Sequence, residues 1–214
     1  MEHDNALLVE RGLGSLERFW DYKTAEQIRD LSDEQRVALQ HVRRILAGNL
    51  DRYPAIPCDM MQGQVFLADA SFILKTDAMV MREKYGFTHV LNCAGQEVGT
   101  TAEQYAPAEI KLMVLDAKDV HGYDMMTHAE AAIAFIDECV RAGGKAAVHC
   151  VAGVNRSGCM VVAYLLWKTR QPLLQTIKQA REARGPILTN ASFQVQIVKY
   201  ASELGVDLRE TPPL

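Results

Sequence analysis

The sequence lacks the long apolar segments of membrane-spanning proteins. It contains no run of about 18 apolar residues, the length that crosses a bilayer. Residues 1–10 open with acidic side chains, whereas a secretory signal would have a basic stretch followed by an apolar one. We therefore expect no membrane span and no secretion, and a cytoplasmic or nuclear protein.

An excess of positive charge is also missing. The chain has 23 Lys and Arg residues against 27 Asp and Glu residues, which gives a formal net charge of -4. Proteins that bind nucleic acid or anionic lipid usually present a basic face. We expect no nucleic-acid partner, and any anionic ligand would have to be bound by a local site.

Paired cysteines are absent as well. The five cysteines are widely separated, and none has the CxxC spacing of zinc or thioredoxin-like sites. We predict no metal and no cofactor. Scattered thiols fit a reducing, intracellular setting.

The remaining composition is that of a globular protein. Apolar residues make up 49% and charged residues 23% of the 214 residues. A chain of this length forms one domain with an appendage. We predict an N-terminal helical extension over residues 1–55, a main domain over residues 56–205 and a C-terminal tail over residues 206–214.

Two capping-box patterns in the extension predict two short helices. Thr24 precedes Gln27 by three positions, and Ser32 precedes Gln35 in the same way. The second helix has an apolar face formed by Ala38, Val42, Ile45 and Leu46. The extension either buttresses the main domain or acts as a docking or regulatory arm.

Short apolar runs alternate with helical patterns in the main domain. Four runs suit buried strands, at residues 65–67, 88–93, 110–115 and 146–149. Residues 129–140 have an apolar face at helical spacing, and the chain after Ser157 is predicted to be all helical. This order predicts an α/β fold, with a mainly parallel sheet of four to five strands flanked by helices.

One motif lies where the last predicted strand meets a helix. The letters HCVAGVNRSG occupy residues 149–158, so Cys150 follows the strand and Arg156 begins the helix. The N–H groups between them can turn inward, and the helix N-terminus adds partial positive charge. Such a loop binds phosphate and stabilises a thiolate, while the guanidinium offers two parallel donors to phosphate oxygens. On spacing alone, a buried cysteine beside an arginine cap is the alternative.

This motif resembles the HCxxGxxRS signature of the cysteine-dependent dual-specificity protein phosphatases, in the protein tyrosine phosphatase superfamily. The likeness covers residues 56–205 and leaves residues 1–55 outside. It rests also on residues 65–67, 85–92 and 163–166, and on Arg184, Asn190, Phe193 and Gln196. It implies that Cys150 forms a phosphocysteine intermediate. It also implies that the substrate phosphate is bound by Val151, Ala152, Gly153, Val154, Asn155 and Arg156.

The resemblance further implies a carboxylic acid on a neighbouring loop. Asp119 lies 31 residues before Cys150 (150 − 119), the offset that the family uses. Asp119 is therefore predicted to be the general acid of the first step and the general base of the second. Asp116 is the reserve choice and Asp124 the third candidate. For each of them a solvated loop carboxylate is the alternative.

Supporting roles follow from the same resemblance. Ser157 is similar to the hydroxyl that donates to the departing sulfur, although a helix-cap role is equally open. His149 and Asn190 are expected to support the loops, and His149 should point away from Cys150 because adjacent strand residues face opposite sides. Asn155 stands where the family usually has Ser or another small residue, so turnover can differ.

Cys93 ends the strand predicted to lie beside the strand of Cys150. Some relatives place a second cysteine at this strand end and form a protective disulfide with the nucleophile under oxidation. We hold Cys93 as a redox partner by hypothesis. The alternative is a small buried apolar side chain.

The loop side chains bear on the substrate. Val151, Ala152 and Val154 are apolar, whereas phosphatases of polyphosphorylated inositol lipids commonly carry Lys or Arg there. No WPD motif of the larger tyrosine-specific domains is present. We expect a phosphorylated protein as substrate, at phosphotyrosine and phosphoserine or phosphothreonine. The alternatives are a phosphoinositide, glucan or RNA 5′-phosphate substrate, or a catalytically silent adaptor that binds phosphoproteins.

Overall fold

A five-stranded sheet forms the centre of the computed structural model, which describes residues 22–48 and 56–209. The strands lie in the order β1-β2-β5-β3-β4, with β1 antiparallel to β2 and every other pair parallel. The predicted mainly parallel sheet is confirmed. The strands are β1 Cys58–Met61, β2 Val65–Ala68, β3 Phe87–Asn92, β4 Lys111–Val114 and β5 Lys145–His149.

Helices precede the sheet, connect its strands and follow it. The two N-terminal helices are α1 Tyr22–Arg29 and α2 Asp33–Ala47. Between the strands lie α3 Ala70–Lys75, α4 Ala78–Val80, α5 Ala102–Tyr105 and α6 Ala129–Arg141. A π-helical turn follows α4 at Met81–Tyr85, and 3₁₀ turns lie at Ala106–Ala108 and Met126–His128. After the last strand come α7 Arg156–Thr169, α8 Leu173–Arg184 and α9 Ala191–Glu203.

Both faces of the sheet are covered, as helices between parallel strands require. Alternate strand residues point to opposite faces: Leu91 and Val148 join the larger apolar cluster, and Val90 and Ala147 the smaller one. Residues of α2 and of α6 to α9 also belong to the larger cluster, so these helices cover that face of the sheet. The smaller one contains Ile73 and residues of the π turn and α5. Because these central strands are buried on both faces, their sequences are continuous apolar runs.

The edges of the sheet depart from the prediction. The run at residues 110–115 was expected to be a buried strand, but β4 lies at the edge, where Lys111 and Val114 are exposed. At the other edge, β1 was not predicted. It has four residues, only one of them fully buried, so it shows no apolar run.

One of the two predicted capping boxes is present. The Ser32 hydroxyl accepts from the Gln35 N–H at 3.2 Å, and the Gln35 side chain accepts from the Ser32 N–H at 2.9 Å. The prediction for Thr24 is wrong, because Thr24 lies inside α1 and is buried. Its hydroxyl is 3.0 Å from the His121 Nδ1, so a tertiary partner replaces the local capping bond.

The N-terminal helices share the core of the main domain. Ala38, Leu39 and Val42 of α2 are buried, and Ile45 and Leu46 pack half-buried against the same cluster. Helix α2 contacts α8 and α9, and α1 contacts α9. The rest of the predicted extension, residues 1–21 and 49–55, lies outside the described residues.

The chain continues in the core beyond residue 205. Val206 and Leu208 are buried, and the Leu173 N–H donates to the Asp207 carbonyl at 2.8 Å. The first part of the predicted tail therefore packs on α8, while residues 210–214 lie outside the described residues. Within the described ranges, no helix has the length and apolar character needed to cross a membrane.

Packing of α2 can be measured by substitution. Leu39 is 2% exposed and Val37, on the same helix, is 52% exposed. Leu39→Ala is expected to lower the free energy of unfolding by about 2–5 kcal/mol because it leaves a cavity. Val37→Ala should change it by no more than about 0.5 kcal/mol. Urea unfolding checks both, and equal effects would contradict the packing of α2 on the core.

Candidate active site

The loop from Cys150 to Asn155 joins β5 to α7 at the carboxyl edge of the sheet. β5 lies between β2 and β3, so the loop emerges from the middle of the parallel strands. Arg156 is the first residue of α7, whose N-terminus carries partial positive charge. Cys150 is 1% exposed and lies beside this helix end. The fold thus places the predicted cysteine at the start of this loop and the predicted arginine directly after its end.

The loop carbonyls are bound from outside the loop. Those of Val151 and Val154 accept from the N–H groups of Ala70 and Leu188, at 2.9 and 3.1 Å. Those of Ala152 and Gly153 both accept from the guanidinium of Arg184, at 2.9 Å each. In a trans peptide the N–H points opposite to the C=O. Four outward carbonyls therefore turn the next four N–H groups toward the inside of the loop.

Gly153 permits the close approach of the loop to β2. Its φ is +63°, and a Cβ built there would lie 2.3 Å from the carbonyl oxygen of Ala68. Real Cβ atoms do not come this close to backbone atoms, so a side chain would push the loop off the strand. The glycine of the motif is thus required by both conformation and space.

Ser157 lies against the sulfur of Cys150. Its hydroxyl donates to the Sγ at 3.1 Å, and both residues are buried. Ser157 is the second residue of α7, and the N-cap position belongs to Asn155. The helix-cap alternative for Ser157 is therefore wrong, because its hydroxyl points at the sulfur.

The guanidinium of Arg156 is bound to its neighbours through NH1. Its NH1 donates to the Glu97 carboxylate at 2.7 Å and to the Ala117 carbonyl at 3.2 Å. Its Nε is buried and has no hydrogen-bond partner among the described residues. The bonds to NH1 fix the orientation of the plane and leave the Nε–H for a ligand. Glu97 itself is about half exposed.

Of the three candidate acids, Asp119 is the one hydrogen-bonded to the loop from Cys150 to Asn155. Its carboxylate accepts from the side-chain amides of Asn155 and Asn190, at 3.1 and 3.0 Å. Asp124 instead accepts from the N–H of Met126 at 3.0 Å. Asp116 lies beside Gly95, where an added Cβ would be 2.4 Å from its Oδ1.

His149 contacts the backbone of the loop. Its Nδ1 lies 3.3 Å from the carbonyl oxygen of Cys150, which can only accept, so Nδ1 carries the proton. Burial lowers the pKa of His149 to about 4. The ring is neutral at pH 7 and donates to the loop, which is the contact that the predicted support role requires.

Cys93 lies level with Cys150 on the neighbouring strand end. Asn92 pairs with His149 across β3 and β5, and the Cys93 N–H donates to the His149 carbonyl at 2.8 Å. Both cysteines are buried in the larger apolar cluster, and both are free thiols. Burial is the main cause that raises the pKa of the Cys93 thiol well above its usual value.

Helix α1 contacts the loop that carries Asp119. The Thr24 hydroxyl is hydrogen-bonded to His121, and the Gly122 N–H donates to the Ser192 hydroxyl at 3.0 Å. Ser192 in turn donates to the Gln27 side chain at 2.7 Å. Helix α1 thus reaches the loop that carries Asp119 directly and through the start of α9.

Several site contacts were missed from the sequence. Arg184 was noted only as part of the resemblance, and its two loop contacts bring together residues more than 30 positions apart. Glu97 had no motif around it. Across residues 22–48 and 56–209, no cluster of three or more His, Cys, Asp or Glu side chains could hold a metal ion.

Two glycines test the close approach of the loop. Gly143 has a φ of +71° with no atom within 4 Å of an added Cβ, so it matches Gly153 in conformation but not in crowding. Both alanine variants should lose about 1–2 kcal/mol of stability through the positive φ. Gly153→Ala alone should also weaken orthovanadate binding, by about tenfold or more, because the loop must move. Calorimetry would contradict this account if the two variants bound vanadate equally well.

Comparison with known proteins gives one family. A model of the dual specificity phosphatase catalytic domain matches residues 71–203. Dual specificity protein phosphatase 26 of Bos taurus is 36% identical over 116 residues, 54% of this chain and 54% of that protein. Dual specificity protein phosphatase Mpk3 of Drosophila melanogaster is 28% identical over 152 residues, 71% of this chain and 36% of that protein. The chain thus spans about half the length, or less, of these curated relatives.

Solved structures share the fold. Human DUSP28 superposes with a TM-score of 0.60 at 24% identity, over 72% of this chain and 99% of that one. OH1 of the Orf virus, described as a tyrosine phosphatase, superposes with a TM-score of 0.59 at 23% identity, over 77% and 95%. Together with the family model that covers residues 71–203, the site places the chain in the dual specificity phosphatase catalytic domain family.

Proposed function

We propose that this protein is a dual-specificity protein phosphatase that hydrolyses phosphotyrosine and phosphoserine or phosphothreonine through a phosphocysteine intermediate. The observation that carries the proposal is the loop around Cys150. Its carbonyls face outward, its N–H groups face inward, and Ser157 donates to the sulfur. A dianionic phosphate fits such a ring of donors, and so does a thiolate.

In the first step the Cys150 thiolate attacks phosphorus and the bond to the leaving oxygen breaks. The inward N–H groups and the free Nε edge of Arg156 receive the charge of the phosphoryl oxygens. Asp119, held over the loop by two amides, transfers a proton to the leaving alkoxide or phenoxide. The products are the free hydroxyl and phosphocysteine.

In the second step water attacks the phosphocysteine. Asp119 is now a carboxylate and accepts the proton of the attacking water. The sulfur–phosphorus bond breaks, and the hydroxyl of Ser157, 3.1 Å from the sulfur, stabilises the departing thiolate. Inorganic phosphate leaves, and the proton taken from water returns Asp119 to its acid form.

The mouth of the site favours a singly phosphorylated protein side chain. Val151 is 44% exposed on the phosphate loop and Val120 is 54% exposed on the acid loop. Neither could meet additional phosphates of a polyphosphorylated lipid. Exposed apolar side chains on these two loops suit the ring of phosphotyrosine or the flanking residues of a phosphopeptide.

The setting and partners follow from the chemistry. A cysteine nucleophile must stay reduced, so we place the protein in the cytoplasm or nucleus. The substrate is a phosphorylated protein, and no nucleic acid is expected. Docking of a partner through the N-terminal helices stays a prediction.

Two substitutions test the phosphocysteine proposal. Cys150→Ser should reduce hydrolysis of p-nitrophenyl phosphate to background, because the hydroxyl is not ionised at neutral pH. Arg156→Lys keeps the charge but loses the planar fork, and should lower kcat/KM by about 100-fold or more. A Cys150→Ser protein as active as wild type would end the enzyme proposal in favour of an unrelated site. No turnover by wild type, with phosphopeptide still bound, would favour the silent adaptor.

Substrate class is decided by one panel under a single condition. Phosphotyrosine, phosphothreonine, phosphoinositide and phosphoglucan substrates should be compared by phosphate release. We expect the phosphopeptides to give the highest kcat/KM. Faster release from phosphoinositide or glucan would contradict the protein-substrate proposal while leaving the phosphatase chemistry intact.

We further propose that Cys93 protects Cys150 during oxidation. Peroxide converts the Cys150 thiolate to a sulfenic acid, and the Cys93 sulfur then displaces water to form a disulfide. Neighbouring strands lie about 4.8 Å apart, which is within the range of Cα distances that disulfides bridge. Because burial raises the pKa of Cys93, closure should be slow.

Mass spectrometry tests the disulfide. Peroxide-treated protein should yield a Cys93–Cys150 peptide, and dithiothreitol should restore activity. Cys93→Ser should lose activity irreversibly, whereas Cys139→Ser, another buried thiol, should behave as wild type. Absence of the Cys93–Cys150 peptide after peroxide treatment would sink the hypothesis.

A further inference from the structure

The side chain of Asn155 joins three segments of the site. Its Oδ1 accepts from the hydroxyl of Thr189 and from the N–H of Asn190, both at 3.0 Å. Its Nδ2 donates to the Oδ2 of Asp119 at 3.1 Å. One amide thus links the phosphate loop to the acid loop and to the segment between α8 and α9.

Two partners fix the orientation of this amide independently. The backbone N–H of Asn190 can only donate, so the oxygen of Asn155 must face it. Asp119 in the carboxylate form that follows the proposed first step can only accept, so the NH₂ group must face it. Exchange of oxygen and nitrogen would break the bonds to Asn190 and Asp119, whereas the hydroxyl of Thr189 can donate or accept and does not discriminate between the two orientations.

The side chain of Asn155 makes these contacts instead of capping α7. It occupies the N-cap position of α7, where Asn is among the best capping residues, yet its side chain makes no cap hydrogen bond. A Ser at this position would have one short hydroxyl, which could not serve Asp119, Thr189 and Asn190 together. The longer side-chain amide of Asn155 reaches all three.

We propose that Asn155 is a positioning residue that fastens the general acid to the phosphate loop. This inference rests on the proposed function. Asp119 is exposed and carried by a loop, so without a tether its carboxyl samples positions away from the leaving oxygen. Asn190 holds one carboxylate oxygen and Asn155 the other, which sets the direction as well as the place of the carboxyl. Small misplacement of a catalytic group costs up to about 100-fold in rate.

Leaving-group dependence separates positioning from a general structural effect. Phenyl phosphate needs a proton on its leaving oxygen, whereas an aryl phosphate with a strongly acidic phenol needs little help. The ratio of the two kcat/KM values reports on the acid in the first step alone. Asn155→Ser should lower kcat/KM for phenyl phosphate about tenfold more than for the acidic aryl phosphate. Asn155→Asp keeps the acceptor for Asn190 but turns an oxygen toward Asp119, and should change the ratio at least as much.

Controls lie on the same network. Thr189→Val removes one bond to the Oδ1 of Asn155 and leaves the bond to Asp119, so its ratio should match wild type. Asp119→Asn removes the acid, and adding Asn155→Ser to it should cause no further change in the ratio. Orthovanadate binding and the unfolding midpoint report whether each variant keeps its loop, and Asn155→Asp serves if Asn155→Ser does not fold.

The outcomes separate this inference from the proposed function. Wild-type protein that hydrolyses neither substrate would overturn the phosphatase proposal itself. Active wild type with an unchanged ratio in both Asn155 variants would overturn the role of Asn155 alone. A further change of this kcat/KM ratio when Asn155→Ser is added to Asp119→Asn would also contradict it, because Asn155 would then act independently of Asp119.

Discussion

The outward attachment of the phosphate-loop carbonyls is the constraint on which the site depends. Arg184 binds two of them, and backbone N–H groups of Ala70 and Leu188 bind the two that flank these. Each bond outside the loop fixes an N–H inside it. The buried guanidinium of Arg184 thus serves the centre without touching the space where phosphate would lie. Gly153, pressed against the carbonyl of Ala68, allows this arrangement.

The acid loop is fastened from two sides. Asn155 and Asn190 bind the carboxylate of Asp119. Helix α1 binds the same loop at His121 through Thr24, and at Gly122 through Ser192, which donates to Gln27 of α1. Helix α1 lies outside the segment that the family model matches. Both N-terminal helices contribute residues to the main core, and α1 also touches the catalytic machinery that we propose.

Local patterns predicted the parts of the structure that depend on neighbouring residues. The motif from Cys150 to Arg156 predicted the loop because strand, turn and helix start are contiguous, and the family resemblance, rather than the spacing alone, favoured it over a buried cysteine beside an arginine cap. The Ser32 capping box was predicted for the same reason. The offset in the family resemblance selected Asp119 from three carboxylates, and its catalytic role stays a prediction. Contacts between distant segments were not predicted. Thr24 bonds to His121 instead of capping its helix, and Arg156 bonds to Glu97, which no pattern indicated. Strand β1 was missed because it shows no apolar run, whereas β4 was predicted as a strand and only its burial was wrong, because its place at the sheet edge depends on the topology.

The account requires a charged sulfur at Cys150, surrounded by inward N–H groups and one guanidinium. Alkylation by iodoacetate measures this most directly, with the rate at Cys150 followed by mass spectrometry across pH and compared with a free cysteine peptide. The account predicts faster alkylation of Cys150 than of the peptide at neutral pH, and protection by phosphate or orthovanadate. A rate no faster than the peptide's, with no protection by either anion, would contradict it.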